Sequence, residues 1–143
     1  MRIIADYRRW GGRNYGFLPT VIEIKALKLR GRVDFLLDTG AGETILSEKD
    51  AQRIGLNYRA FTMGRDAHGV GGTAGTWEIN KEVTFYILVA GNSVYTATRR
   101  GIEVLGEPNE EKTLPSLLGL EFLEQLDFKL TFDMPTAAVF LER

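Results

Sequence analysis

The sequence predicts a mainly β fold, on three observations: short stretches alternate apolar and polar residues, glycines punctuate them, and only two brief segments carry helical spacing. The first seventeen residues, with three arginines among aromatics in "YRRWGGRNYGF", read as a solvated leader or dimer-edge segment. "TVIEIKALKL" and "RVDFLLD" then flank "RG" as a hairpin, with a change of facing near Ala26 and Leu27 that reads as a bulge. In the second of these strands Val33, Phe35 and Leu37 share one face, and the strand ends at an acid, Asp38. "SEKDAQRIGL" reads as a short helix, capped by Ser47, with Asp50 as the capping-box acid and Gly55 as the stop.

From 60 to 98 strands return. "EVTFYILVA" and "SVYTATR" join across "GN", with Val83, Phe85, Ile87 and Val89 on one face. The polar stretch at 106–116 reads as an exposed loop, and the dibasic pair Arg99–Arg100 reads as a solvated loop rather than a processing site. Strand "SLLG", helix "LEFLEQL" with Phe122, Leu123 and Leu126 at helical spacing, and strands "DFKLTF" and "AAVFLE" around "DMPT" complete one domain over 1–143.

Composition narrows the chemistry. The chain has 143 residues, 44% of them hydrophobic and 26% charged, which suits one globular domain. Lys and Arg number 18 against 19 Asp and Glu, so a net charge of -1 provides no global field towards nucleic acid or an acidic membrane. With no cysteine there is no thiol nucleophile, disulfide framework or thiolate metal site, and a single histidine, His68, rules out a multi-histidine site. No stretch has the length of a secretory signal or a bilayer span, so the expectation is a soluble, cytoplasmic protein with no cofactor, no metal, no membrane and no nucleic-acid partner.

Three features fall in order along the chain: "LLDTGAGETIL" around Asp38, the glycine-rich "HGVGGTAG" at 68–75, and "LLG" at 117–119 before a short helix. Together they resemble the retropepsin-like aspartic proteases, the retroviral proteases and their cellular relatives, over roughly residues 18 to 141. The resemblance implies a closed retropepsin-like β-barrel with a flap hairpin and one or two short helices. It implies Asp38 as the catalytic acid, with Thr39, Gly40 and Ala41 completing the active-site loop. Thr39 would lock two such loops together across a dimer, and Gly40 would let substrate backbone approach. Gly69, Val70, Gly71 and Gly72 would form the flap, and Leu117, Leu118 and Gly119 would cross behind the loop in support.

The chemistry agrees with the resemblance. Peptide hydrolysis without metal or nucleophile needs one carboxylate to take a proton from water and one carboxylic acid to polarise the carbonyl. The chain contains a single Asp-Thr-Gly and no Asp-Ser-Gly, so the second acid must be Asp38 of another copy. The expected activity is that of a homodimeric aspartic endopeptidase acting on a peptide or protein substrate.

Some residues pull the other way. Family members often pair an acid after Asp-Thr-Gly-Ala with an arginine after the later glycine, and here those positions are Gly42 and Leu120. Thr73 and Ala74 stand where an aromatic often follows the flap glycines. These departures motivate an alternative, a catalytically silent dimeric module that holds extended peptides. "GVGGTA" also fits a loose dinucleotide fingerprint, but lacks the preceding strand and following helix that the fingerprint needs. The arginines and aromatics of 7–17 resemble a single-strand nucleic-acid binder in composition, in too neutral a chain to favour that reading. No serine or cysteine motif accompanies His68, which is assigned no catalytic role.

Overall fold

The computed structural model describes residues 1–69, 72–89, 92–106 and 114–143, and their side chains apart from 65–69 and 72–74. In chain order the described residues form β1 (Arg2–Trp10), β2 (Arg13–Ile24), β3 (Leu29–Leu37), β4 (Ile45–Ser47), α1 (Glu48–Arg53), β5 (Thr62–Gly69), β6 (Gly72–Val89), β7 (Ser93–Leu105), β8 (Ser116–Leu118), α2 (Leu120–Leu126), β9 (Lys129–Asp133) and β10 (Ala138–Glu142). The mainly β class is therefore as expected, with two short α-helices.

Six of these strands close on themselves. β2 pairs with β3, β3 with β8, β8 with β4, β4 with β7, β7 with β6, and β6 again with β2. Closure buries a continuous apolar interior, in which the Phe35 and Phe85 rings lie 5.8 Å apart and Phe85 and Phe122 4.7 Å apart. All three are fully buried, so this aromatic run ties β3 to β6 and to the helix that follows "LLG". Val83, Phe85 and Ile87 are fully buried as their alternation demands.

Residues 2–10 and 13–17 are strand where a leader or dimer-edge segment was expected. Ile3 and Ala5 are buried while Ile4 is 58% exposed, the alternation of a half-buried strand. Arg2 to Ala5 pair with β10, and Asp6 to Trp10 pair with β2. The connection is Gly11–Gly12, both at positive φ (58° and 85°), which is what a two-residue hairpin turn of matching twist requires. Arg8, Arg9 and Arg13 are all exposed, at the end of this hairpin where neither face is covered by the core.

Two further boundaries differ from the sequence reading. The turn between β2 and β3 is a 3-10 turn at Lys25–Leu27 closed by Lys28 at φ 54°, and "RG" lies inside β3, where Gly31 pairs with Ile22. The change of facing at Ala26 and Leu27 was the turn itself. Of the expected loop at 106–116, residues 107–113 lie outside the described residues, and Ser116 is a buried β8 residue. Arg99 and Arg100 sit within β7.

On the outer face of β3, Asp34 accepts from Arg8 Nη2 and from Arg32 Nε, each at 2.9 Å. Partial burial pushes its carboxyl upward, but the hydrogen bonds and charges of Arg32 and Arg8 outweigh this and hold it below the ordinary carboxylate range. A depressed folded-state value contributes stability above about pH 4, lost as pH falls through the folded value. Asp34→Asn is therefore expected to melt below the parent chain at pH 7 and with it near pH 2. Thermal melts across that range check this.

Candidate active site

The site is built where β3 ends. Leu36 and Leu37 pair in parallel with Leu117 and Leu118 of β8, and Asp38 N–H continues the ladder by donating to the Leu118 carbonyl at 3.1 Å. Past that point the core stops: Phe35, Leu36 and Leu37 are buried, Asp38 is half-buried, and Thr39 and Gly40 are exposed. The chain turns at once, with Ala41 N–H donating to the Asp38 carbonyl at 3.1 Å and Gly40 N–H donating to Asp38 Oδ1 at 2.9 Å. One carboxylate oxygen thus fixes the side chain. Oδ2 and the Thr39 hydroxyl have no hydrogen-bond partner among the described residues.

"LLG" packs directly behind this loop. Leu120 N–H donates to the Ala41 carbonyl at 2.9 Å and Glu121 N–H to the Gly42 carbonyl at 3.3 Å. A Cβ on Gly119 would lie against the Glu43 backbone, 2.8 Å from its Cα and nearer still to its carbonyl group, so only glycine permits this approach. Leu118 is fully buried beneath it.

Thr44 and Glu121, assigned no role from the sequence, complete the support together with Arg99, which was read as solvated but is largely buried. Glu121 Oε1 accepts from Thr44 N–H at 2.6 Å and from Arg99 Nη1 at 2.8 Å, while Oε2 accepts from the Thr44 hydroxyl at 3.2 Å. Thr44 Oγ1 in turn accepts from Gly119 N–H at 3.1 Å. Gly42 and Leu120, standing where family members often carry an ion pair, cannot form one, and Glu121, next to Leu120, instead pairs with Arg99 of β7. No local pattern in the sequence marks these partners, because Thr44 and Glu121 lie 77 residues apart.

A similar substitution of partners holds α1. Ser47 Oγ caps it by accepting from Asp50 N–H at 3.1 Å, as expected. The return bond goes through β8: Ser47 N–H donates to Ser116 Oγ at 2.9 Å, and that hydroxyl donates to Asp50 Oδ2 at 2.6 Å.

The structure brings Asp38 to Ala41 together with Leu117 to Gly119. The expected flap glycines lie apart from this contact set: Gly69 and Gly72 pair at the end of the β5–β6 hairpin, and Val70 and Gly71 lie outside the described residues. Ile79 on β6 is fully buried, and Trp77 packs against Tyr58 with ring centroids 5.1 Å apart.

The sequence matches the family described as gag-polyprotein putative aspartyl protease over residues 29–125, a span that holds the Asp38 loop, both its supports and the β5–β6 hairpin. The chain is a member of the retropepsin-like aspartic proteases. Among solved structures, a retropepsin-like aspartic protease from Rickettsia conorii is similar in fold at 20% identity and a TM-score of 0.59, covering 99% of this chain and 90% of that one. The EIAV protease, solved with the inhibitor HBY-793, is similar at 20% identity and a TM-score of 0.50, covering 87% and 99%. No curated protein matches the sequence. The Rickettsia likeness spans nearly the whole chain, so the retropepsin-like fold here includes the terminal strands β1, β9 and β10 outside the family match.

Proposed function

We propose that this retropepsin-like protein is an aspartic endopeptidase that acts as a twofold homodimer, with water activated between the Asp38 carboxylates of two copies. The observation that carries the reading is the placement of Asp38: a half-buried carboxylate at the end of a core strand, aimed by the Gly40 N–H and backed by "LLG". Two such carboxyls held a few ångströms apart cannot both ionise, so one proton is shared. The ionised Asp38 takes a proton from water as its oxygen bonds to the peptide carbonyl carbon. The protonated Asp38 of the second copy donates to the carbonyl oxygen. Collapse of the tetrahedral adduct then breaks the C–N bond, with a proton passing to the departing amine.

The exposed Thr39 hydroxyl supports the dimer, since it has no partner within the described chain and would find one across the twofold. Thr39→Ala is expected to raise the dimer dissociation constant by about 10-fold, two symmetric hydrogen bonds being lost at once. Sedimentation equilibrium measures this, and an unchanged constant removes that role from Thr39. Gly69 and Gly72, paired at the end of the β5–β6 hairpin, are proposed to cover bound substrate as a flap together with Val70 and Gly71.

Subunit mixing tests the shared site. Wild type and Asp38→Asn, mixed equally and re-equilibrated at fixed total concentration, should retain about a quarter of the wild-type turnover, because about a quarter of randomly paired dimers carry two aspartates. Retention of about half means that each chain acts alone.

A further inference from the structure

On the outer face of β3, away from the Asp38 loop, β1, α1 and residues Leu114 and Pro115 enclose a cleft of about 560 Å³. Five cations line it, Arg8, Arg9, Arg32, Lys49 and Arg53, against two carboxylates, Asp34 and Asp50. Both carboxylates are fully engaged: Asp34 by Arg8 and Arg32, and Asp50 by Arg53 at 2.8 Å and the Ser116 hydroxyl at 2.6 Å. Arg9 and Lys49 are exposed and make no ion pair among the described residues. In a chain of net charge -1, this is a local positive field with two cations left over.

The lining chooses between anionic partners. Guanidinium forks suit carboxylates, and the cleft already holds two of them in that way. Single-strand nucleic-acid binders add successive open aromatic faces to their phosphate contacts. Here Phe17 is buried beneath the Arg8 guanidinium, 4.2 Å from its ring centroid, and Trp10 alone is open, with Tyr15 against its edge at 5.8 Å. Trp10, Leu114 and Pro115 instead offer an apolar wall to peptide side chains.

β3 links this cleft to the site. Asp34 and Arg32 precede Asp38 by four and six residues, about 13 and 20 Å along a strand. An extended peptide covers that distance, with a turn around the surface, in about five to ten residues. We propose that the cleft is an exosite that captures a Glu- and Asp-rich segment of the protein substrate about five to ten residues from the scissile bond, held by Arg9 and Lys49. The assignment as a substrate exosite rests on the protease reading, while the capture of acidic peptide does not.

Binding is measured by fluorescence anisotropy on the full chain carrying Asp38→Asn, with a labelled ten-residue Glu-rich peptide, its Gln counterpart, and a single-stranded oligonucleotide of equal charge. The Glu-rich peptide should bind in a salt-sensitive way and the Gln peptide should not. Adding Arg9→Glu and Lys49→Glu should weaken binding by at least about 10-fold, and Arg9→Gln with Lys49→Gln by less, with unchanged melting because neither side chain has an ion-pair partner among the described residues to lose. Equal binding by the reversed-charge variant overturns the proposal. So does tighter binding of the oligonucleotide that is lost in that variant, which would make the partner a nucleic acid. In an otherwise wild-type chain the same pair should raise KM about 10-fold for a substrate carrying an acidic segment and leave a substrate without one unaffected. An equal rise for both substrates overturns the exosite. Acidic-peptide capture without cleavage of any peptide would instead overturn the protease reading and leave the cleft's ligand class supported.

Discussion

Asp38→Asn is expected to remove peptide-bond hydrolysis by at least about 10³-fold while the chain still folds and dimerises. Asparagine keeps the shape of the side chain, and its amide oxygen can still accept the Gly40 N–H bond that orients Asp38 at 2.9 Å. What it loses is the proton: neither amide can take one from water or donate one as a carboxylic acid does. The parent chain should show a bell-shaped dependence of kcat/KM on pH, whose two limbs belong to the carboxyl pair and not to either copy. Cleavage of a peptide library from pH 4 to 8, beside the variant and with the dimer fraction measured in each sample, reads both effects. Undiminished turnover in Asp38→Asn would rule out the shared-proton mechanism. A well-formed dimer that holds peptides without turnover, equally in parent and variant, would select the silent peptide-holding module.

How much of this was legible depends on whether the cause was local. The strand into Asp38 was legible because Val33, Phe35 and Leu37 repeat with period two, and all three are buried. The helix after "LLG" was legible from a different local period, the helical spacing of Phe122, Leu123 and Leu126, which are all buried. The β2–β3 turn was not, because a lysine occupies the left-handed position where glycine would have announced it, and Gly31 is required for another purpose. A Cβ there would press on the Ile54 side chain. The first strand was obscured by its arginines: Ile3 and Ala5 become a buried face only when β10, more than a hundred residues later, pairs beside them. The Gly11–Gly12 turn was the one local signal for it, a two-glycine hairpin connection. The anchor at Glu121 had no local signal at all, since its three donors come from Thr44 and Arg99 on separate elements.

That anchor carries the second large effect. Glu121→Ala is expected to cost about 2–4 kcal/mol, because it removes the acceptor of two Thr44 donors and strands the Arg99 guanidinium. Arg99 is ill placed to lose it: its side chain is only 22% exposed, and its buried Nε already lacks a hydrogen-bond partner. For a chain of this size the melting temperature should fall by roughly 5–15 °C. Replacing Arg99 by Met as well removes the stranded charge and restores apolar contact near Phe122, so the double variant should be more stable than Glu121→Ala alone. Additive losses would show that the pair is not coupled. Activity separates the two roles of Glu121. Recovery of melting temperature in the double variant should leave kcat depressed by about 10-fold, because Thr44 still lacks the carboxylate that aligns it with Gly119 and the Asp38 loop. Full recovery of kcat together with stability would reduce Glu121 to a neutraliser of Arg99.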